Sequence, residues 1–258
     1  MRIIDFYSFK KRDFLYIFIS VKINFKREKG FMNIRKICLS IGAILFFALN
    51  TVQVQAVTLG VGVSMSANDL TTLGKEDIDN NGTTTTTKTF ADSVTAGSIF
   101  VETTFEFGTF GLTFGLDYIP VDADIDKRSI TQSSLKTAGT TATGTNSARG
   151  TISQHKTLYI QPGIMFGSNI LYGTWGYATA DVEGTTDIIS STNLKETKSL
   201  NGTKVGFGVK HVRDNGIFIK ADYSETDYDS VSWVTSNSTK GTADIDNESF
   251  AISLGKQF

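Results

Sequence analysis

Cysteine is nearly absent from this 258-residue chain. Cys38 is the only one, and it lies in a leader segment, so the remainder of the chain carries no thiol. A disulfide scaffold and a thiolate metal site are both excluded there. The absence suits passage through an oxidising compartment, where free thiols mispair. Histidine occurs twice, at His155 and His211. After residue 56 there is no cluster of Lys and Arg and no helical period of useful length. Nucleic acid is therefore not an expected partner, because phosphate binding needs grouped cations.

Charge is divided unevenly along the chain. Residues 1–56 hold ten Lys/Arg against three Asp/Glu, whereas the rest holds fifteen against twenty-three. The overall charge of -1 thus hides a basic leader and an acidic body, a signal that the two parts have different fates. From Met32, Arg35 and Lys36 form a basic start and Ile37 to Leu49 an apolar run. Val54-Gln55-Ala56 ends on a small residue. These are the three regions of a cleaved secretory signal, expected over 32–56 with the cut after Ala56. The apolar run is short for a bilayer span. Cys38 precedes it and is not placed as a lipoprotein cysteine. Residues 1–31 read as an upstream extension from a wrongly chosen start. The rival reading is a membrane anchor over Phe14 to Ile23, a short and interrupted run.

Residues 57–258 alternate with period two, the mark of strands with two unlike faces. Val57, Leu59, Val61, Val63 and Met65 stand against Thr58, Gly60, Gly62, Ser64 and Ser66. The same alternation recurs around Ile99–Glu106, Phe110–Tyr118, Thr157–Phe166, Leu171–Thr179, Val205–Lys210, Ile217–Ser224 and Phe250–Phe258. Eight strands follow. One face is apolar and aromatic; the other is Gly, Ser, Thr and charge. The charged residues fall in mid-strand, which favours an inverted barrel with lipid outside and a polar, crowded lumen. The expected fold is all-β: an eight-stranded antiparallel up-and-down transmembrane β-barrel.

Connections alternate in length. Phe107–Thr109, Gly167–Asn169 and Val212–Gly216 are expected to be tight periplasmic turns. Ala67–Ala96, Ile119–Ser153, Asp181–Lys204 and Glu225–Glu248 are expected to be four long extracellular loops. Phe105, Phe107, Phe110, Phe166 and Phe258 would form a periplasmic aromatic girdle. Lys256 breaks the alternation and is expected to snorkel to water. Pro162 removes a ladder donor in mid-strand, so a bulge is expected there, or a different placement of that strand.

The pattern resembles the OmpA/OmpX-like eight-stranded outer-membrane β-barrel superfamily, its opacity-protein-like, porin-type sequences in particular. SIFVETTFEFGTFGLTFGLDYIP, GFGVKHVRDNGIFIKADYSETDYD and the terminal ESFAISLGKQF carry the resemblance. It implies residence in the bacterial outer membrane, contact with outer-membrane lipid and lipopolysaccharide, and recognition by the barrel assembly machinery. Phe258, with Phe250, Ile252 and Leu254 before it, resembles the terminal aromatic assembly signal. No periplasmic peptidoglycan-binding domain is expected after Phe258, so that family function is not carried over.

The inward charges Glu102, Glu106, Asp117, Lys210, Lys220 and Asp222 are expected to form a structural network. Eight strands leave an interior only wide enough for side chains, so a salt-bridged plug is expected over a conducting lumen. The run Asp77, Asp79, Asn81, Gly82 begins like a calcium loop, but Lys88 stands where the last ligand should be Glu. That run, Asp122–Asp126 and Asp244–Glu248 read as solvated acidic loops, with weak divalent bridging to lipopolysaccharide left open. Ser153 and His155 share a lumen-facing parity, which turns them from a lipid substrate; His211 lies at the opposite rim. The Thr83–Thr87 and Thr137–Thr151 stretches read as mobile surface. No cofactor, metal or catalytic residue is expected. The expected role is non-enzymatic and surface-directed, through adhesin-like loops. A narrow porin-like channel is the second reading and a lipid-modifying enzyme the third.

Overall fold

The computed structural model describes residues 56–77, 82–84, 86–137, 140–187, 194–234 and 240–258. The proposed extension, all but the last residue of the proposed signal, Cys38, and Ile78–Asn81 of the calcium-like run lie outside the described residues.

Among the described residues ten strands follow one another: β1 Ala56–Asp77, β2 Thr86–Phe107, β3 Phe110–Tyr118, β4 Ala123–Thr137, β5 Thr140–Phe166, β6 Asn169–Asp187, β7 Leu194–Val212, β8 Ile217–Tyr228, β9 Val231–Val234 and β10 Lys240–Gln257. Eight of them close a ring, β1-β2-β3-β5-β6-β7-β8-β10, with β10 pairing back to β1. All pairings are antiparallel. The last residue completes the closure: Phe258 and Leu59 exchange backbone hydrogen bonds of 2.9 and 3.2 Å. The eight expected strands and the three tight turns are present. The two further strands, β4 and β9, lie off the ring on β5 and β10.

The long connections are not loops in the expected sense. β1 and β2 stay paired up to Glu76 and Thr86, and β10 follows β1 to Asp77. At about 3.3 Å per residue and a tilt near 40°, a 22-residue strand climbs roughly 55 Å, about twice an apolar membrane band. The Thr137–Thr151 stretch, read above as mobile surface, is mostly strand within β5 and pairs with β4. Thr has high strand propensity, and a continuing ladder satisfies backbone groups that a loop would leave to water.

Faces change roles along this height. In the lower half, all eight ring strands expose apolar side chains outward, for example Met65 at 67%, with Val101, Leu116, Leu158, Trp175, Phe207, Ile219 and Ile252. So large an apolar belt is stable only against lipid. Higher up, the apolar residues move to the interior parity. Leu70, Ala178, Ala180, Val182, Leu200, Tyr228, Val231 and Ile245 form a buried cluster inside the barrel, with Leu200 at 0% exposure. Outward positions at that height, such as Asp69, Ser199 and Glu248, are exposed and polar. The barrel is membrane-like below and built like a soluble protein above.

Pro162 sits in an unbroken register, opposite Leu112 of β3. The expected bulge is not there, and the strand is where the alternation placed it. On the β6 side the same register resumes from Ile160–Trp175 to Gly163–Tyr172. At this gap the Gln161 side chain donates to Thr174 Oγ1 at 3.1 Å, a cross-strand bond in place of the missing ladder contact. The bulge of β5 lies instead between Ser153 and Lys156, where Gln154 takes a φ of 51°.

Candidate functional site: a buried charge cluster in the lumen

Glu102 projects inward from β2 and is almost completely buried. Its Oε1 accepts Lys210 Nζ of β7 at 2.9 Å, and its Oε2 accepts Lys220 Nζ of β8 at 3.0 Å. Tyr159 of β5 donates to the same Oε2 at 3.1 Å. Lys220 also donates to Gln161 Oε1 at 3.3 Å. One carboxylate thus ties four strands together across the lumen. A buried ion pair is tolerable only when such extra bonds satisfy it.

Aromatic rings pack against both ammonium groups. Lys210 Nζ lies 4.0 Å from the centroid of Phe218, and Lys220 Nζ lies 5.2 Å from that of Phe100. The two rings are 6.1 Å apart. Room for them comes from neighbouring strands: a Cβ at Gly62 would lie 2.5 Å from Phe100, and one at Gly255 would lie 2.3 Å from Phe218. Only glycine lets a backbone approach a ring so closely.

The six expected lumen charges do not form a single network. Glu102, Lys210 and Lys220 meet. Asp222 stands at their edge and accepts a hydrogen bond from Tyr172. Asp117 accepts one from Ser98 at 2.6 Å. Glu106 lies nearer the periplasmic end, opposite Ala56 and Gly111, and has no ion pair among the described residues. Glu102, Asp117, Lys210, Lys220 and Asp222 lie on the inner face that alternation assigned to them. Which of them touch depends on the shear of the ring. Phe100, Tyr159, Tyr172 and Phe218 share that inner parity, a signal that could have found them. Lys204 also points inward, although it was assigned to the end of a loop.

Phe258 stands at the periplasmic rim, where its backbone closes the ring onto Leu59. Lys256 turns to the Asn215 carbonyl of the β7–β8 turn, with its Nζ 5.8 Å from the Phe258 ring. Phe107 and Phe110 pack across their turn with centroids 6.4 Å apart.

The bulge at Gln154 separates Ser153 from His155. Below it the odd-numbered residues of β5 face inward; above it Ile152 does, against the buried cluster. The parity expected of both residues therefore holds for His155, which faces the lumen and hydrogen-bonds Tyr228 Oη at 2.8 Å, and fails for Ser153, which falls on the other side. No hydrogen bond joins Ser153 to His155 among the described residues.

The acidic stretches are partly structural. Asp244 of β10 pairs with Lys75 of β1 at 2.6 Å and accepts from Ser230. These donors hold its carboxyl below the usual value of 3.8. Asp124 accepts from Thr151, and Asp77 from the Gly82 amide, both at 2.8 Å. Among the described residues no group of three or more His, Cys, Asp or Glu is arranged to hold a metal ion.

A closed antiparallel ring of eight strands with a continuous apolar belt defines an outer-membrane β-barrel. No family model matches the sequence, and no curated protein matches it. Among solved structures the chain is similar to Ail, the attachment invasion locus protein of Yersinia pestis, in complex with the heparin analogue sucrose octasulfate. That match has 13% identity, covers 76% of this chain and 99% of that one, and has a TM-score of 0.36. It is similar also to the outer membrane protease OmpT of Escherichia coli, at 8% identity over 81% and 98% of the two chains, with a TM-score of 0.43. Neisserial surface protein A matches at 8% identity over 75% and 97%, with a TM-score of 0.31. These are likenesses of fold.

Proposed function

We propose that this protein is a non-enzymatic surface barrel. Its lumen is a structural plug, and its functional surface is the β-structure carried above the membrane. The observation that carries this reading is the Glu102–Lys210–Lys220 cluster, because it joins opposite walls of the ring at the centre of the membrane-spanning half. An ion would have to break two charged contacts and pass between Phe100 and Phe218. Above the plug, paired strands and the β4–β5 hairpin hold a stiff platform outward, suited to contact with surface ligands and with lipopolysaccharide. On this reading the chain is exported by its 32–56 signal and inserted by the barrel assembly machinery through the Phe258 end.

Planar-bilayer recording on the purified protein tests the plug: no discrete steps are expected, and stable unitary currents would overturn it. Adhesion to host-cell or abiotic surfaces tests the platform. Cells carrying the full chain should bind more than cells carrying a variant whose 124–151 hairpin is cut to a short turn. Equal binding, with equal surface levels, would end the adhesive reading. An unchanged lipid A mass spectrum is expected on deletion of the protein, and a lost modification would restore the enzymatic one.

A further inference from the structure

A cavity of about 140 Å³ lies inside the barrel between two packed layers. Its floor is the charge cluster and the rings around it, through Phe100, Tyr159, Gln161 and Lys220. Its roof is the buried apolar cluster, through Leu70 and Tyr228, with Val94 and Ile152 packed against that cluster. Val121 also lines the cavity and is 66% exposed, so the space reaches the surface at residues 119–122, which join β3 to β4.

Charge on this wall is balanced. Asp117 and Asp222 both attract Lys204, and Lys220 is bound by Glu102 and Gln161. Asp117 also accepts from Ser98, and Asp222 from Tyr172. A charged guest would have to break pairs already made, in a place that solvates it poorly. A neutral guest leaves those pairs intact.

The rest of the polar wall is neutral and small, with Ser66, Ser224, Thr226 and Ser249 among its members. Two buried atoms of the lining have no partner among the described residues: His155 Nδ1 and Asn247 Oδ1. His155 uses its Nε2 on Tyr228 Oη, and Asn247 donates its Nδ2 to Asn68 Oδ1 at 3.3 Å. A buried polar atom left unpaired is costly, and a guest that pairs it recovers that cost. Asn247 Oδ1 only accepts, whereas His155 Nδ1 donates or accepts according to the ring tautomer. A hydroxyl answers both atoms in either tautomer, because it carries one donor and two lone pairs. An ammonium only donates and a carboxylate only accepts. Volume limits the guest to about six non-hydrogen atoms, much as an engineered cavity of about 150 Å³ takes one benzene.

We infer that this cavity is a binding site for a small neutral polyol of the glycerol class. The hydroxyls of the guest pair with His155 Nδ1, Asn247 Oδ1 and the serine and threonine hydroxyls of the wall. Its carbon atoms lie against Tyr159, Val94 and Ile152. The Glu102 cluster closes the site from below.

The test uses the refolded full barrel, isotope-labelled in detergent micelles and titrated with glycerol while NMR follows its backbone amides. Acetate, propylammonium and sorbitol are the comparison probes. Glycerol should shift amides around the cavity saturably, with a Kd on the order of 1–10 mM. Acetate and propylammonium should give no saturable shift there, and neither should sorbitol, which is too large for the space. Ala251→Leu puts a longer side chain into the cavity, leaves His155 and Asn247 untouched, and should abolish the saturable shift. Asn247→Leu removes one of the unpaired atoms and should weaken binding by about tenfold. A dispersed amide spectrum identifies folded samples, and Ala251→Leu with the comparison probes carries the test if Asn247→Leu does not fold. Glycerol shifts that do not saturate, that persist in Ala251→Leu, or that any comparison probe matches would overturn the site.

Discussion

Glu102 of β2 and Lys210 of β7 meet at 2.9 Å although 108 residues and half the ring separate them. The contact spans the lumen from one wall to the opposite one, so it bears on stability and on permeation together.

Removing the shared carboxylate leaves two ammonium groups facing each other in a buried interior. Glu102→Ala should destabilise the barrel by about 3–5 kcal/mol, read as a lower urea midpoint in lipid vesicles. The triple variant Glu102→Leu, Lys210→Met, Lys220→Met should recover most of that loss, because a packed apolar plug needs no ion pair. A triple variant as unstable as Glu102→Ala would show that the charges themselves hold the fold.

The ring–glycine contacts predict an overpacking effect. Gly255→Leu drives a side chain into Phe218 and should cost about 1–3 kcal/mol. Adding Phe218→Ala should restore part of it, which is the signature of a local clash. Equal losses in the single and double variants would point to a backbone effect instead.

Leu200 and Ser199 are neighbours on opposite faces of upper β7, the first buried and the second exposed. Leu200→Ala should cost about 2–5 kcal/mol through the cavity it leaves. Ser199→Asp should stay within about 0.5 kcal/mol, as surface changes do. The same urea titrations read both. Were this height in lipid, the order would reverse, because a charge on the lipid face is penalised.

Asp244 predicts a response to acid above the membrane. Lys75 and Ser230 hold its folded pKa below 3.8. A depressed pKa contributes stability that is present above the unfolded value and is lost as pH falls through the folded one. Pepsin cleavage near Lys240–Asp244 should therefore rise steeply below that value in wild type. Asp244→Asn should be cleaved similarly across the acid range; a wild-type-like rise in that variant would assign the effect elsewhere.

Period-two alternation was enough to place eight strands, their inward and outward faces, the tight turns and the three charges of the Glu102 cluster, while Lys204 was left in a loop. This works because a strand's side chains alternate by geometry alone, and lipid enforces the pattern on every outward position. What alternation carried no sign of is reach. The upper strands keep the same backbone ladder while their apolar residues change parity, as Leu70 does after Met65 and Ile245 does before Phe250. With the expected face no longer apolar, the pattern reads as loop. The bulge at Gln154 hid a second change of parity, so Ser153 and His155 were assigned one face when they occupy two.

The sequence by itself determined the class of the protein, because its apolar periodicity and its glycine-rich second face suit only a barrel turned inside out. Tertiary structure alone decided the partners. Ring closure and shear chose Glu102 for Lys210 and Lys220, left Glu106 apart, and turned Lys204 into the lumen. Those outcomes depend on the relative stagger of strands distant in sequence, a quantity that no local pattern encodes.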